Sequence, residues 1–146
     1  AREVEQVEEF LKELIKQKSL YFEKDITPQA SILMNENHLN IVLRNLINNA
    51  IKFTPREGAI FVSSEQSESE ITIKVKDTGI GIDTTEKRDI FEMGSPDWGT
   101  EGEKGIGLGL NLCKEIVEQY DGRIYYTSHL GQGSEFCFSI PHITNI

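Results

Sequence analysis

The chain has 146 residues, 38% hydrophobic and 27% charged, and carries a net charge of −9. A single domain of this size buries about two-thirds of the surface its unfolded chain exposes, so it needs no disulfide or metal to fold. The acidic balance excludes a nucleic-acid-binding face. No apolar run approaches the roughly 18 residues of a membrane span, and the charged opening segment is not a signal peptide, so no direct membrane contact is expected.

Residues 1–18 carry Val4, Val7, Leu11, Leu14 and Ile15 at helical spacing. This reads either as a helix packed on the domain or as the tail of a helix arriving from a preceding one. The start without a cap favours the second reading, with 1–18 as connector and 19–146 as the main domain. Residues 19–26 and 31–34 are expected as short strands around the Thr27-Pro28 turn. Residues 36–53 form the strongest helix, with Leu39, Val42, Leu43, Leu46, Ile47 and Ala50 on one stripe. Pro55 and Gly58 end it. Residues 60–64 and 71–76 alternate as half-buried strands. Residues 83–91 suggest a short helix, and 93–104 an irregular loop holding Gly94, Pro96, Gly99 and Gly102. A second long helix spans 105–120 and is capped by Asp121-Gly122. Residues 123–128 and 134–140 make a hairpin. The expected fold is α+β: a two-layer sandwich in which about three helices cover one face of a mixed, mostly antiparallel sheet.

Cys113 and Cys137 have no metal-ligand spacing and read as buried reduced thiols, consistent with a cytoplasmic setting. Asn45, Asn49 and Lys52 fall on one stripe of the 36–53 helix, away from the apolar one. Amide oxygens suit Mg²⁺, and a lysine meets phosphate as a point charge. Spacing alone more often means a solvated helix face, although Asn is a poor helix former and three lie within five residues. Asp77-Thr78-Gly79-Ile80-Gly81 follows a strand, where a carboxylate can accept from an exocyclic amine; a plain turn is the commoner meaning of such a segment. Lys104-Gly105-Ile106-Gly107-Leu108-Gly109-Leu110 opens a helix after a long polar loop. Its free N–H groups and helix dipole make a phosphate cradle. There is no GK[ST] element, and no preceding strand for a dinucleotide fingerprint.

The order of these pieces carries a resemblance. LRNLINNAIKFT (43–54), DTGIGI (77–82), IFEMG (90–94), GIGLGL (105–110) and GQGSEFCFSIP (131–141) resemble the N box, first glycine box, F box, second glycine box and closing strand of the ATP-binding catalytic domain of sensor histidine kinases. That domain belongs to the Bergerat-fold GHKL superfamily, shared with DNA gyrase, Hsp90-type chaperones and mismatch-repair ATPases. The resemblance spans about residues 20–141.

It implies ATP and Mg²⁺ as cofactors, with Asn49 on the metal and Asn45 supporting metal or phosphates. Lys52 would contact phosphate, and Phe53 would pack near the base. Asp77 would read the adenine amine while Gly79 and Gly81 let the ring settle. Residues 93–104 would be the ATP lid, anchored by Phe91. Lys104 and the backbone of Gly105, Gly107, Leu108 and Gly109 would hold phosphate, and Ser134 would stand near the adenine. Asn45, Lys52 and Lys104 would be the catalytic set. The hydrolytic members of the superfamily carry a Glu where this chain has Asn45, so the resemblance implies phosphoryl transfer to histidine, for two-component signalling, over hydrolysis. A GHKL-type serine kinase or ATPase, or a non-catalytic nucleotide-binding module, are the alternatives. None of His38, His129 and His142 is followed by an acidic residue. The acceptor histidine would therefore lie on an upstream dimerisation and phosphotransfer domain, with a response regulator as the onward partner of a cytoplasmic or membrane-anchored parent.

Overall fold

The computed structural model describes residues 2–26, 34–79, 109–129 and 131–141. The chain order is α1 (Arg2–Phe10), α2 (Lys12–Gln17), β1 (Tyr21–Asp25), α3 (Glu36–Phe53), β2 (Ala59–Gln66), β3 (Glu70–Asp77), α4 (Gly109–Gln119), β4 (Arg123–His129) and β5 (Gly133–Pro141). The five strands form one sheet in the order β1-β2-β3-β5-β4. β1 and β2 run parallel and the other neighbours antiparallel.

Alternation sets the two faces. Ile60 and Val62 on β2, Ile71, Ile73 and Val75 on β3, and Phe136, Phe138 and Ile140 on β5 are buried in one core with Val42, Leu43, Leu46 and Ile47 of α3 and Cys113 and Val117 of α4. The opposite face carries charge pairs such as Lys74–Glu65 and Arg123–Glu70. The outcome is an open mixed sheet with helices on one face, as expected.

The differences have local causes. The expected single helix over 1–18 is two among the described residues, with a bend at Leu11. The hydrogen bonds Leu11 N–H to Val7 O and Ile15 N–H to Leu11 O run through the bend, which therefore turns the helix without stopping it. Val4, Val7 and Leu11 are buried in the domain core. The first strand begins at Tyr21 and not at 19, because Ser19 takes φ +51 to turn the chain out of α2. Of the expected strand at 31–34, only Met34 is described, and it lies in a bend. The second long helix is described from Gly109, and residues 83–91 and 105–108 lie outside the described residues.

α3 begins at Asn35, whose Oδ1 accepts from the N–H of Asn37 and His38 at 2.8 and 3.4 Å. His38, which no acidic residue follows, has a structural part here. It is half-buried, with Nδ1 at 2.7 Å from the hydroxyl of Tyr120, tying the start of α3 to the end of α4. That end closes with Gly122 N–H on Val117 O and with Asp121 at φ +59, so the left-handed residue is the aspartate and not the glycine after it. Cys113 and Cys137 are buried and free. Burial pushes both thiols up to about 12, which leaves them unreactive.

Candidate functional site

Asp77 is the last residue of β3 and pairs with Ser134 of β5 and Ile60 of β2. It shares the helix-facing parity of Ile71, Ile73 and Val75, so its carboxylate enters the layer between sheet and helices. It is only 3% exposed. Oδ1 accepts the N–H of Gly79 at 2.8 Å and of Ser134 at 3.3 Å. Burial raises its carboxyl to about 6, and those two N–H groups act in the opposite direction. The result is an acceptor held in low dielectric, where one further hydrogen bond is worth more than in water.

The loop after Asp77 is pressed onto the end of α3. A Cβ at Gly79 would overlap the Phe53 carbonyl and stand 2.7 Å from Asp77 Oδ1. From the other side, Gly133 sits at φ +99 with its Cα face against the Asp77 carbonyl, where a Cβ would also overlap. Gly133 therefore meets two demands that only glycine satisfies. Ser134 gives its N–H to Asp77, while its hydroxyl bonds Ser128 Oγ at 2.7 Å. The sequence reading placed Ser134 here but assigned nothing to Gly133 or Ser128; the tight G-Q-G turn was the available signal.

On α3, Asn45 donates Nδ2 to the Ile41 carbonyl at 2.7 Å. This fixes the amide and leaves Oδ1 projecting toward the start of α4: a Cβ at Gly109 would lie 2.6 Å from it. An amide oxygen fixed outward in this way is a ligand of the kind a hard cation accepts. Asn49, one turn on, is only 8% exposed, and Asn45 and Lys52 are half-buried, so this stripe is not a fully solvated face. Lys52 and Phe53 close the helix, with the Lys52 ammonium 5.6 Å from the Phe53 ring centre. The Asn stripe, the Asp77 loop and the first residue of α4 thus meet around one helix, α3. Gly81, Phe91, Lys104, Gly105, Gly107, Leu108 and the 93–104 segment lie outside the described residues.

Gly109→Ala separates stability from the site. Among the described residues the added methyl meets only Asn45, whose side chain can turn away by giving up its bond to Ile41, and Ala is favoured over Gly within a helix by about 1 kcal/mol. The melting temperature is expected to hold or rise, while calorimetry shows Mg·nucleotide affinity falling about tenfold or more as Asn45 is displaced. Unchanged affinity contradicts the placement of Asn45 at the site.

This fold and this convergence define a nucleotide-binding ATPase-type domain. Residues 34–144 match the family described as histidine kinase-, DNA gyrase B-, and HSP90-like ATPase, and the chain belongs to that family. It is similar in structure to the catalytic domain of histidine kinase ThkA, with a TM-score of 0.82 and 25% identity over 96% of this chain and 92% of that one. Full-length ShkA in complex with AMPPNP matches with a TM-score of 0.81 and 28% identity, over 95% of this chain and 29% of that one. The adaptive-response sensory kinase SasA of Gloeothece citriformis (strain PCC 7424) is 39% identical over 139 residues, 91% of this chain and 35% of that protein. The chain thus spans about a third of the length of the sensory kinases it matches. Its fold is that of a histidine kinase catalytic domain. No helix among the described residues is long and apolar enough to cross a membrane.

Proposed function

We propose that this chain is the ATP-binding half of a sensor histidine kinase, which holds Mg·ATP and presents its γ-phosphoryl group to a histidine on another domain. The observation that carries this is the meeting of three sequence-distant motifs on α3: Asn45 Oδ1 against Gly109, and the Phe53 carbonyl against the Asp77–Gly79 loop. Asp77 accepts a hydrogen bond from the adenine amine, Gly79 and Gly81 let the ring settle on the loop, and Phe53 packs near the base. Asn49, with Asn45 beside it, holds the magnesium ion, and Lys52 and Lys104 face phosphate. The amides of Gly105, Gly107, Leu108 and Gly109 cradle phosphate at the head of α4, Phe91 anchors the lid over 93–104, and Ser134 supports Asp77. Bound Mg²⁺ supplies neutralisation of the charge on the phosphates.

The chain's own part is positioning and electrostatics, as phosphoryl transfer requires. Asn45 has no carboxylate to deprotonate water, and one of its two amide N–H donors is taken by the Ile41 carbonyl. The reading therefore favours a histidine over water as acceptor of the phosphoryl group. That histidine belongs to an upstream dimerisation and phosphotransfer domain joined through residues 1–18. A response regulator then receives the phosphoryl group in the cytoplasm. The crystal structure of histidine kinase ThkA in complex with response regulator protein TrrA, 27% identical with a TM-score of 0.76, supports a response regulator as partner.

The test is incubation of the chain with a histidine-bearing dimerisation domain of a related kinase and γ-labelled ATP. Acid-labile label on the histidine domain is the expected result. Rapid phosphate release without histidine labelling would point to a hydrolase instead.

A further inference from the structure

We propose that Lys18 is a positioning residue that couples the N-terminal helices to the nucleotide site through the end of α3. Lys18 is 3% exposed. A buried ammonium is costly unless its donors are satisfied. Its Nζ donates to the carbonyls of Ile51 at 2.8 Å, Lys52 at 3.1 Å and Thr54 at 3.1 Å. Three donors meet three carbonyls, among them those a helix end leaves without an intrahelical N–H, and the positive charge stands at the negative end of the α3 dipole.

The lysine is set in a clasp between two chain segments. Arg56 donates to the Gln17 carbonyl at 2.6 Å, Glu57 N–H to the Lys18 carbonyl at 2.9 Å, and Tyr21 N–H to the Gly58 carbonyl at 2.9 Å. The α2–β1 junction and the α3–β2 junction are thereby joined over both side chain and backbone. The turn that Lys18 caps also carries Lys52 and Phe53, and the Phe53 carbonyl is the surface against which Gly79 rests. Thr78 completes the chain of contacts, with its N–H on the Ala59 carbonyl at 3.1 Å and the Ala59 N–H on its Oγ1 at 2.9 Å. A displacement of α1 and α2 against α3 is transmitted by these bonds to the loop that holds Asp77. Lys18 acts through these carbonyls: it sets where the α3 end lies, and so how tightly the site closes on adenine.

This inference rests on the nucleotide reading above, and its test keeps the two apart. In the full 146-residue chain, Lys18→Met keeps the aliphatic stem and removes all three donors. At a temperature where circular dichroism shows the variant folded, its affinity for Mg·ADP is expected to fall at least tenfold. In the nucleotide-free variant, the Gly79 amide resonance is expected to move. In the wild type, saturating Mg·ADP is expected to shift the Lys18 Nζ resonance. A folded variant with wild-type affinity and an unmoved Gly79 overturns the coupling and leaves Lys18 a plain helix cap. Should Lys18→Met fail to fold, the wild-type measurement decides, and an unmoved Nζ under saturating Mg·ADP overturns the proposal. If the wild type does not bind Mg·ADP at all, the nucleotide reading falls, while the Gly79 resonance of the free variant still reports on the coupling.

Discussion

Asp77→Asn is expected to make the free protein more stable at neutral pH and a poorer binder of adenine nucleotides. The asparagine oxygen can still accept from Gly79 and Ser134, but the buried charge is gone. In the fold the Asp77 carboxyl is raised from its ordinary 3.8 to about 6. At about 1.4 kcal/mol per pKa unit, ionising it in place costs about 3 kcal/mol relative to the unfolded chain. A raised native value means the folded state binds the proton more tightly. The wild type therefore carries this cost above pH 6, and it is relieved as pH falls from about 6 toward 4. The variant should melt roughly 5–10 °C above wild type at pH 7.5, and the gap should close on acidification through that window. Losing a charged hydrogen bond of about 1.5–3 kcal/mol predicts binding of Mg·ADP about 10- to 150-fold weaker. A variant of lower stability at pH 7.5, or one that binds as wild type, contradicts the role given to this carboxylate.

Gly79→Ala is expected to damage both fold and binding. The new methyl overlaps the Phe53 carbonyl, a backbone atom held in α3, and crowds Asp77 Oδ1 at 2.7 Å. Neither can yield cheaply, so the loop itself must move and break the Gly79 N–H bond to Asp77. Overpacking of this kind costs about 1–3 kcal/mol, and the lost charge-assisted bond adds to it. Thermal melts should fall by roughly 5–10 °C, and calorimetry should find nucleotide affinity reduced more than about a hundredfold, the equivalent of some 3 kcal/mol. Gly131→Asn is the control: nothing lies within 4 Å of a Cβ there, and Asn tolerates the φ of +81 better than other residues. It should bind nucleotide as wild type does. Equal losses in both variants would show general destabilisation and not a specific contact.

The sequence was most legible where the deciding signal is local. The apolar stripe of α3 defines the helix from Glu36 to Phe53 without tertiary information. β2, β3 and the closing hairpin alternate plainly, and the β2–β3 and β4–β5 pairings follow from hairpin connections, whereas the parallel β1–β2 pair and the β3–β5 pair do not. The motifs themselves are short and contiguous, so each is readable alone and their order is readable together.

What stayed hidden depends on residues brought together by the fold. Asn49 looks like a wet-face residue because helical spacing separates it from the leucines, yet it is buried. α3 is packed by the sheet on one side and by α1 and α4 elsewhere, so Asn49 is covered while Asn45 and Lys52 of the same stripe stay half-buried. Lys18 reads as one more charge at the end of a polar helix. Only the return of the chain after α3 supplies the three carbonyls that bury it. The bend at Leu11 leaves the helical spacing intact, so periodicity could not show it. Gly133 was legible as a turn residue but not as the floor beneath Asp77, because that contact joins β3 and β5.

The central claim is that one ligand is shared by the Asn-bearing helix, the Asp77 loop and the head of α4. Titration of the isotopically labelled chain with Mg·AMPPNP, followed by NMR, tests it directly. The side-chain amides of Asn45 and Asn49 and the backbone amides of Gly79 and Gly109 should all shift along one common saturation curve. Movement of the asparagines without Gly79, or separate curves for the two groups, would mean that they do not line the same site.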